Sequence, residues 1–254
     1  MNPEQRLAGK VILVTGGSRG IGREIVLLAV EQGAQVAFCS RRGKKIVNAK
    51  DEKRTEFGSQ LLEITADVTQ LDDVEKLFSA VKSKFGRVDV VINNAGNSHS
   101  ELLVSLTTKT WNEIMAINLT GAFLVAKYAV NAFLNQGSSG QIISIGSVTQ
   151  NGAPADVSYA ASKGGLVGLT KMINSTYNQN NIYAHLIVGG YIDAGLMKNT
   201  PETFRTLVTD MIPQKRMGRS CELANYVLFL ATNPGISHHH PVCIGGGLID
   251  PPII

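Results

Sequence analysis

Val11-Ile-Leu-Val-Thr15-Gly16-Gly-Ser-Arg-Gly20-Ile-Gly22 is the stretch that decides the fold. Val11–Thr15 is an unbroken run of apolar and β-branched residues, the pattern of a strand covered on both faces. Glycines interrupt it. From Ile21 to Gln32 apolar residues return at helical spacing, and Gly33 follows as a helix stop. Strand, glycine turn and helix open a βαβ unit. Gly16, Gly20 and Gly22 leave room for the backbone to approach a pyrophosphate, which the amide groups and positive dipole at the helix start would hold. The spacing is G-x-x-x-G-x-G rather than the commoner G-x-G-x-x-G. Ser18, Arg19 and Ile21 complete the candidate phosphate turn.

The same alternation continues along the chain. Strands are expected at Gln35–Cys39, Leu61–Thr65, Val88–Ile92, Gln141–Ile145, Ile182–Val188 and Val242–Ile244. Helices are expected at Lys44–Glu56, Leu71–Phe85, Thr110–Phe133, Val157–Tyr177, Thr203–Met211 and Glu222–Thr232. Strands separated by long helices require right-handed crossovers and a parallel sheet with helices on both faces. No linker, internal repeat or low-complexity tract divides the 254 residues. The expectation is an α/β fold, a single doubly wound Rossmann-type domain over residues 1–254.

Composition narrows the function classes. The net charge of +4 is mild, and its densest cluster, Arg41 to Arg54, lacks the interleaved aromatics of a nucleic-acid face. Cys39, Cys221 and Cys243 are too few and too widely spaced for a disulfide framework or a zinc site. The polar stretch Met1–Lys10 has no signal core, and no apolar run approaches the ~20 residues of a membrane span. These features predict a cytoplasmic protein with no nucleic-acid or membrane partner. The run His238–His240 reads as a solvated loop, because neighbouring side chains on a strand diverge, and no metal is expected.

The end of the second strand selects the cofactor. An acid there would bond the ribose 2′-hydroxyl of NAD. This chain has Ser40 followed by Arg41 and Arg42, with Arg19 in the glycine turn. Guanidinium groups without a carboxylate suit a 2′-phosphate, so NADP(H) is the expected cofactor. Tyr159 and Lys163 stand four apart in a helical stretch, on one face. An ammonium beside a phenol is expected to lower its pKa, making a proton shuttle. Ser147 follows the fifth strand, where its hydroxyl can reach a substrate carbonyl. Asn118 lies among apolar neighbours in mid-helix and needs a buried partner.

From about Leu7 to Gly247 the sequence resembles the short-chain dehydrogenase/reductase family in its compact form. The likeness rests on Thr15–Gly22, Asp67-Val68, Asn93-Asn-Ala-Gly96, Asn118, Ser147 and Tyr159-x-x-x-Lys163. It implies a catalytic tetrad. Tyr159 exchanges the proton, Ser147 orients the carbonyl, Lys163 also holds the nicotinamide ribose, and Asn118 holds a relay water. It further implies that Asp67 and Val68 contact adenine. Asn94, with Ala95 and Gly96, contacts the cofactor, and Gly190 and Ile192 lie beside the nicotinamide. Within the family the chain is most similar to 3-oxoacyl-[acyl-carrier-protein] reductases, through Gln141–Ser147 and Arg216–Asn225. The resemblance implies a homo-oligomer, a tetramer or dimer, paired through Thr110–Phe133 and Val157–Tyr177.

The departures cluster late in the chain. Ser147 stands twelve residues before Tyr159, where those reductases usually have thirteen. Gly189-Gly190 replaces Pro-Gly, Ala194 a carboxamide-binding Thr, His185 an Asn, and Gly245 the Asp of Asp-Gly-Gly. No Lys or Arg occurs between Tyr128 and Ser162 or between Met172 and Met197, the stretches where those reductases carry bases for an acidic carrier. The expected substrate is a small carbonyl or alcohol, thioester-linked or free, with Asn97–Leu103 and Met197–Ile212 lining its pocket. The expected reaction is NADPH-dependent reduction of a ketone. Two alternatives stay open: an NADP-dependent alcohol dehydrogenase, and a non-catalytic nucleotide-binding subunit on the same fold.

Overall fold

A computed structural model describes residues 5–41, 58–233, 235 and 241–248. Arg42, the expected helix Lys44–Glu56 and the run His238–His240 lie outside them. The strands are β1 Val11–Thr15, β2 Gln35–Ser40, β3 Leu61–Thr65, β4 Val90–Asn93, β5 Gly140–Ser147, β6 Ile182–Gly189 and β7 Val242–Ile244. They form one parallel sheet in the order β3-β2-β1-β4-β5-β6-β7. The helices are α1 Gly20–Glu31, α2 Leu71–Phe85, α3 Thr108–Met115, α4 Gly121–Gln136, α5 Val157–Tyr177, α6 Glu202–Met211 and α7 Ser220–Thr232.

The doubly wound sheet has a core on each face. On one, Ile25, Val26, Ala29, Leu223, Val227 and Leu230 of α1 and α7 pack on Ile12, Val14, Val36 and Ile143. On the other, Leu77, Phe78, Val125, Ala129 and Phe133 of α2 and α4 pack on Val11, Leu13, Ala37 and Ile142. Helix ends follow the glycines: α2 stops at Gly86 and α4 at Gly137, both left-handed. The sheet reverses its order between β1 and β4, and a crevice for ligand opens at the strand ends there.

Two elements differ from expectation for visible reasons. β4 begins at Val90 rather than Val88, because the Gln136 carboxamide holds both backbone groups of Val88 (3.0 and 2.9 Å). The helix expected at Thr110–Phe133 runs from Thr108 to Gln136 and contains one wide π turn, Ala116–Thr120. This run is long and apolar enough to cross a membrane, contrary to the composition reading, but half of its apolar window is buried inside the fold. It occupies the place of a core helix.

Candidate active site

A cleft of about 480 Å3 lies at the reversal. Thr15, which ends β1 and opens the glycine turn, is its hinge. Its hydroxyl donates to Ile92 O (3.2 Å) and accepts the N–H groups of Asn94 and Ala95 (both 3.0 Å). The Asn94 carboxamide donates to Thr15 O (2.9 Å) and Gly16 O (3.1 Å). Asn94 therefore sets the shape of the glycine turn while lining the cleft beside it. Gly16 and Gly20 adopt φ of +66° and +57°, open to glycine at little cost. Gly22 does not line the cleft. A Cβ there would lie 2.4 Å from Asn94 Nδ2 and from Gly16 O, so this glycine lets α1 seat against the turn.

Gly16, Ser18, Arg19, Gly20, Ile21, Ser40, Arg41, Val68, Ala95 and Gly96 line the cleft. Among the described residues the buried Ser40 hydroxyl has no hydrogen-bond partner, an orphan donor beside Arg41. Asp67 lies one step aside. It shares an adjoining cavity of about 360 Å3 with Arg41, and its carboxylate accepts from Thr69 N and Oγ1. Cys39 also lines the cleft, a position sequence reasoning missed. Burial pushes its thiol up to about 12, so it is an inert apolar wall.

The reaction end joins three distant segments. Ser147 ends β5 and pairs in register with Gly189. Its Oγ lies 3.0 Å from Thr149 Oγ1, and the hydroxyl is near enough to Tyr159 to favour the phenolate. Lys163 is buried. Its Nζ donates to Ile145 O (2.7 Å) and lies 5.7 Å from the centre of the Tyr159 ring. Ser147, Tyr159, Lys163, Gly190 and Ile192 all line the cleft. Asn118 stands behind it, in the π turn. Its Oδ1 accepts Asn97 N (2.9 Å), and its Nδ2 donates to Asn97 O (2.9 Å) and Ser162 Oγ (3.0 Å). Ser162 in turn donates to Tyr159 O (2.7 Å), tying Asn118 to the catalytic helix.

The expected depression of the tyrosine pKa does not appear. Burial pushes Tyr159 up to about 12. The Ser147 hydrogen bond opposes this, and Asp156 and Tyr191 add to it. Burial likewise pulls Lys163 down to about 8. Desolvation outweighs the mutual attraction because the ammonium is directed at a carbonyl rather than at the phenol oxygen. At neutral pH the pair is thus a neutral phenol beside a mostly charged ammonium.

Gly190 and Gly245 touch: a Cβ on Gly190 would lie 2.6 Å from Gly245 Cα, and Gly190 N donates to Ile244 O (2.9 Å). The shortened loop before α5 closes through Gly152 (φ +107°) and a left-handed Ala155 (φ +60°). The expected pocket segments are only partly in place. Asn97 and Met197 line the cleft, but Leu102 and Leu103 are exposed, and Val208 and Ile212 pack with Leu248 in a separate small core. Hydrophobicity alone could not separate a pocket wall from an exposed loop.

With this geometry the chain belongs to the short-chain dehydrogenase family, an oxidoreductase family that uses nicotinamide cofactors; residues 10–204 match the description short chain dehydrogenase. It is similar to the 3-oxoacyl-[acyl-carrier-protein] reductase FabG of Thermotoga maritima, 32% identical over 90% of this chain and 92% of that one. It is also similar to the 3-oxoacyl-[acyl-carrier-protein] reductase of a Synechocystis species, 31% identical over 91% and 93%. Among solved structures, a short-chain type dehydrogenase/reductase from Mycobacterium marinum matches with a TM-score of 0.88 at 30% identity, covering 95% of this chain and 96% of that one.

Proposed function

We propose that this protein is an NADP(H)-dependent ketone reductase, a single catalytic domain over residues 1–254, with Tyr159 as the proton donor. The observation that carries the reading is that Ser147, Tyr159 and Lys163 line the same cleft as the glycine turn, with the Lys163 ammonium 5.7 Å from the centre of the Tyr159 ring. The cleft fits a dinucleotide. Left-handed Gly16 and Gly20 open the backbone to a pyrophosphate, and the orphan Ser40 hydroxyl beside Arg41 fits a 2′-phosphate. When bound, NADPH supplies the hydride. The chain's own groups do the rest. Ser147 bonds the carbonyl oxygen, Tyr159 gives that oxygen its proton, and Lys163 stabilises the phenolate left behind while holding the ribose. Tyr159, held up, carries its proton at neutral pH, and the still-charged Lys163 stabilises the phenolate as that proton leaves.

The test is NADPH oxidation against ketones, free and thioester-linked, followed by Tyr159→Phe. The substitution keeps the ring and the fold and removes the acid. Turnover falls by at least ~10²-fold while NADPH affinity holds. Parental turnover in Tyr159→Phe overturns the mechanism. We also propose a homo-oligomer in the cytoplasm. Phe123 and Leu134 of α4 and Met172 of α5 are large apolar side chains left exposed on the two helices expected to pair. Sedimentation at micromolar concentration gives a dimer or tetramer; a stable monomer refutes it.

A further inference from the structure

A serine hydroxyl has one hydrogen to donate and two lone pairs that accept. If Ser147 binds a carbonyl oxygen, that hydrogen has to face the cleft. The lone pairs are occupied from behind, by Thr149. Its backbone N–H donates to Ser147 Oγ (3.3 Å), so Ser147 caps the short 3-10 turn Val148–Asn151. Its hydroxyl lies 3.0 Å from the same oxygen. Thr149 is 4% exposed and does not line the cleft, whereas Ser147 lines it together with Tyr159 and Lys163. The backbone clamps the pair. Ser147 is in register with Gly189 of β6, and Thr149 O accepts Gly152 N (2.9 Å), where the chain turns at φ +107°.

By distance alone, the bond between the two hydroxyls could run either way. The surroundings choose its direction. Among the described residues, the Thr149 hydroxyl has no hydrogen-bond partner other than Ser147 Oγ. If Thr149 accepted, its own hydrogen would be buried with nothing to bond, a cost of the full desolvation of a donor. The Ser147 hydrogen would also point away from the cleft. If Thr149 donates, its hydrogen is satisfied and both Ser147 lone pairs are filled. The Ser147 hydrogen is then left for the cleft, and the donation polarises it further.

Resting on the reductase reading, we propose that Thr149 is a positioning residue for the reduction: it donates its hydroxyl hydrogen to Ser147 Oγ and so aims the Ser147 hydrogen at the substrate carbonyl. Thr149 touches neither substrate nor cofactor. It acts through Ser147, and its effect grows as negative charge develops on the carbonyl oxygen.

The test pairs Thr149→Val, which keeps the shape and removes the hydroxyl, with Thr149→Ser, which keeps the hydroxyl. The substrates are cyclohexanone and acetoacetyl-coenzyme A, a free and a thioester-linked ketone, with NADPH. Thr149→Val lowers kcat about three- to tenfold, the effect of one lost hydrogen bond, while KM and NADPH affinity stay near parental. Thr149→Ser restores most of the rate. Added to Ser147→Ala, Thr149→Val causes no further loss, because Ser147 is its route of action. Parental kcat in Thr149→Val, an equal loss in Thr149→Ser, or the same added loss in the Ser147→Ala background overturns the proposal. Neutron diffraction from deuterium-exchanged crystals of the parent protein reads the hydrogens without a variant or turnover. The Thr149 deuterium points at Ser147 Oγ and the Ser147 deuterium at the cleft; a Ser147 deuterium directed at Thr149 Oγ1 overturns the proposal. A parent that reduces neither ketone counts against the reductase reading alone, and the neutron map then decides the role of Thr149.

Discussion

The two ends of the cleft are built on different physics. At the glycine turn, space decides. Gly16, Gly20 and Gly22 are where they are because a side chain has no room or no accessible backbone angle, and Asn94 and Thr15 pin the result through backbone atoms. At the reaction end, charge and burial decide. Tyr159 and Lys163 are moved in opposite directions by desolvation, and Asp156 acts on the phenols from outside the tetrad. The first kind of site is written in a contiguous stretch of sequence. The second depends on what the fold places beside each titratable group.

The largest expected effect on cofactor binding is on space. Gly22→Ala puts a methyl 2.4 Å from two polar atoms of the turn. Overpacking of that kind costs about 1–3 kcal/mol, so NADPH affinity falls about ten- to a hundredfold while the fold persists. Gly168→Ala in the middle of α5, with nothing within 4 Å, is its control and leaves stability equal or slightly higher. Fluorescence titration and thermal melts of the two variants make the comparison, and equal affinities would erase the distinction drawn for the turn.

Arg41→Ala probes the border between the two regimes. The expected result is loss of most of an about tenfold preference for NADPH over NADH, because a charge-assisted contact to the 2′-phosphate disappears while the turn is untouched. Direct titration of both cofactors reads it. A parent protein that binds the two equally contradicts the NADP assignment.

The smallest effect is a pH limb. Lys163, pulled down to about 8, is a cation below that pH and neutral above it. Reduction needs the cation to stabilise the phenolate as Tyr159 gives up its proton, so kcat/KM falls as pH rises through about 8. Between pH 7 and 8.5 the expected drop is about fourfold, the loss of charged lysine over that interval. Tyr159, held near 12, stays protonated throughout and contributes no limb there. A flat profile from pH 6 to 9.5 removes Lys163's charge from the step.

Much of this molecule was legible in one dimension. The run Val11–Thr15 and the strand Leu61–Thr65 are as read, as are the helices Leu71–Phe85 and Val157–Tyr177. Their hydrophobic period and glycine ends are local properties that the sheet only had to accept. Tyr159 and Lys163 share a face of α5 because helical spacing alone puts them there.

What tertiary structure alone decided involves residues distant in sequence. Thr15 became a hinge because β4 lies beside β1 and delivers Asn94 and Ala95 to its hydroxyl. Val88 left the sheet because Gln136, 48 residues away, captured its backbone. Tyr159 rose to about 12 instead of falling, because burial exceeded the pull of an ammonium already committed to Ile145 O. Asp156 turned from its own helix to Ser100, beside a left-handed Ala155 whose carbonyl accepts from Glu101 N. A sequence states which groups are available and their local geometry. Hydration, and the partner each polar group finds, exist only once the chain is folded.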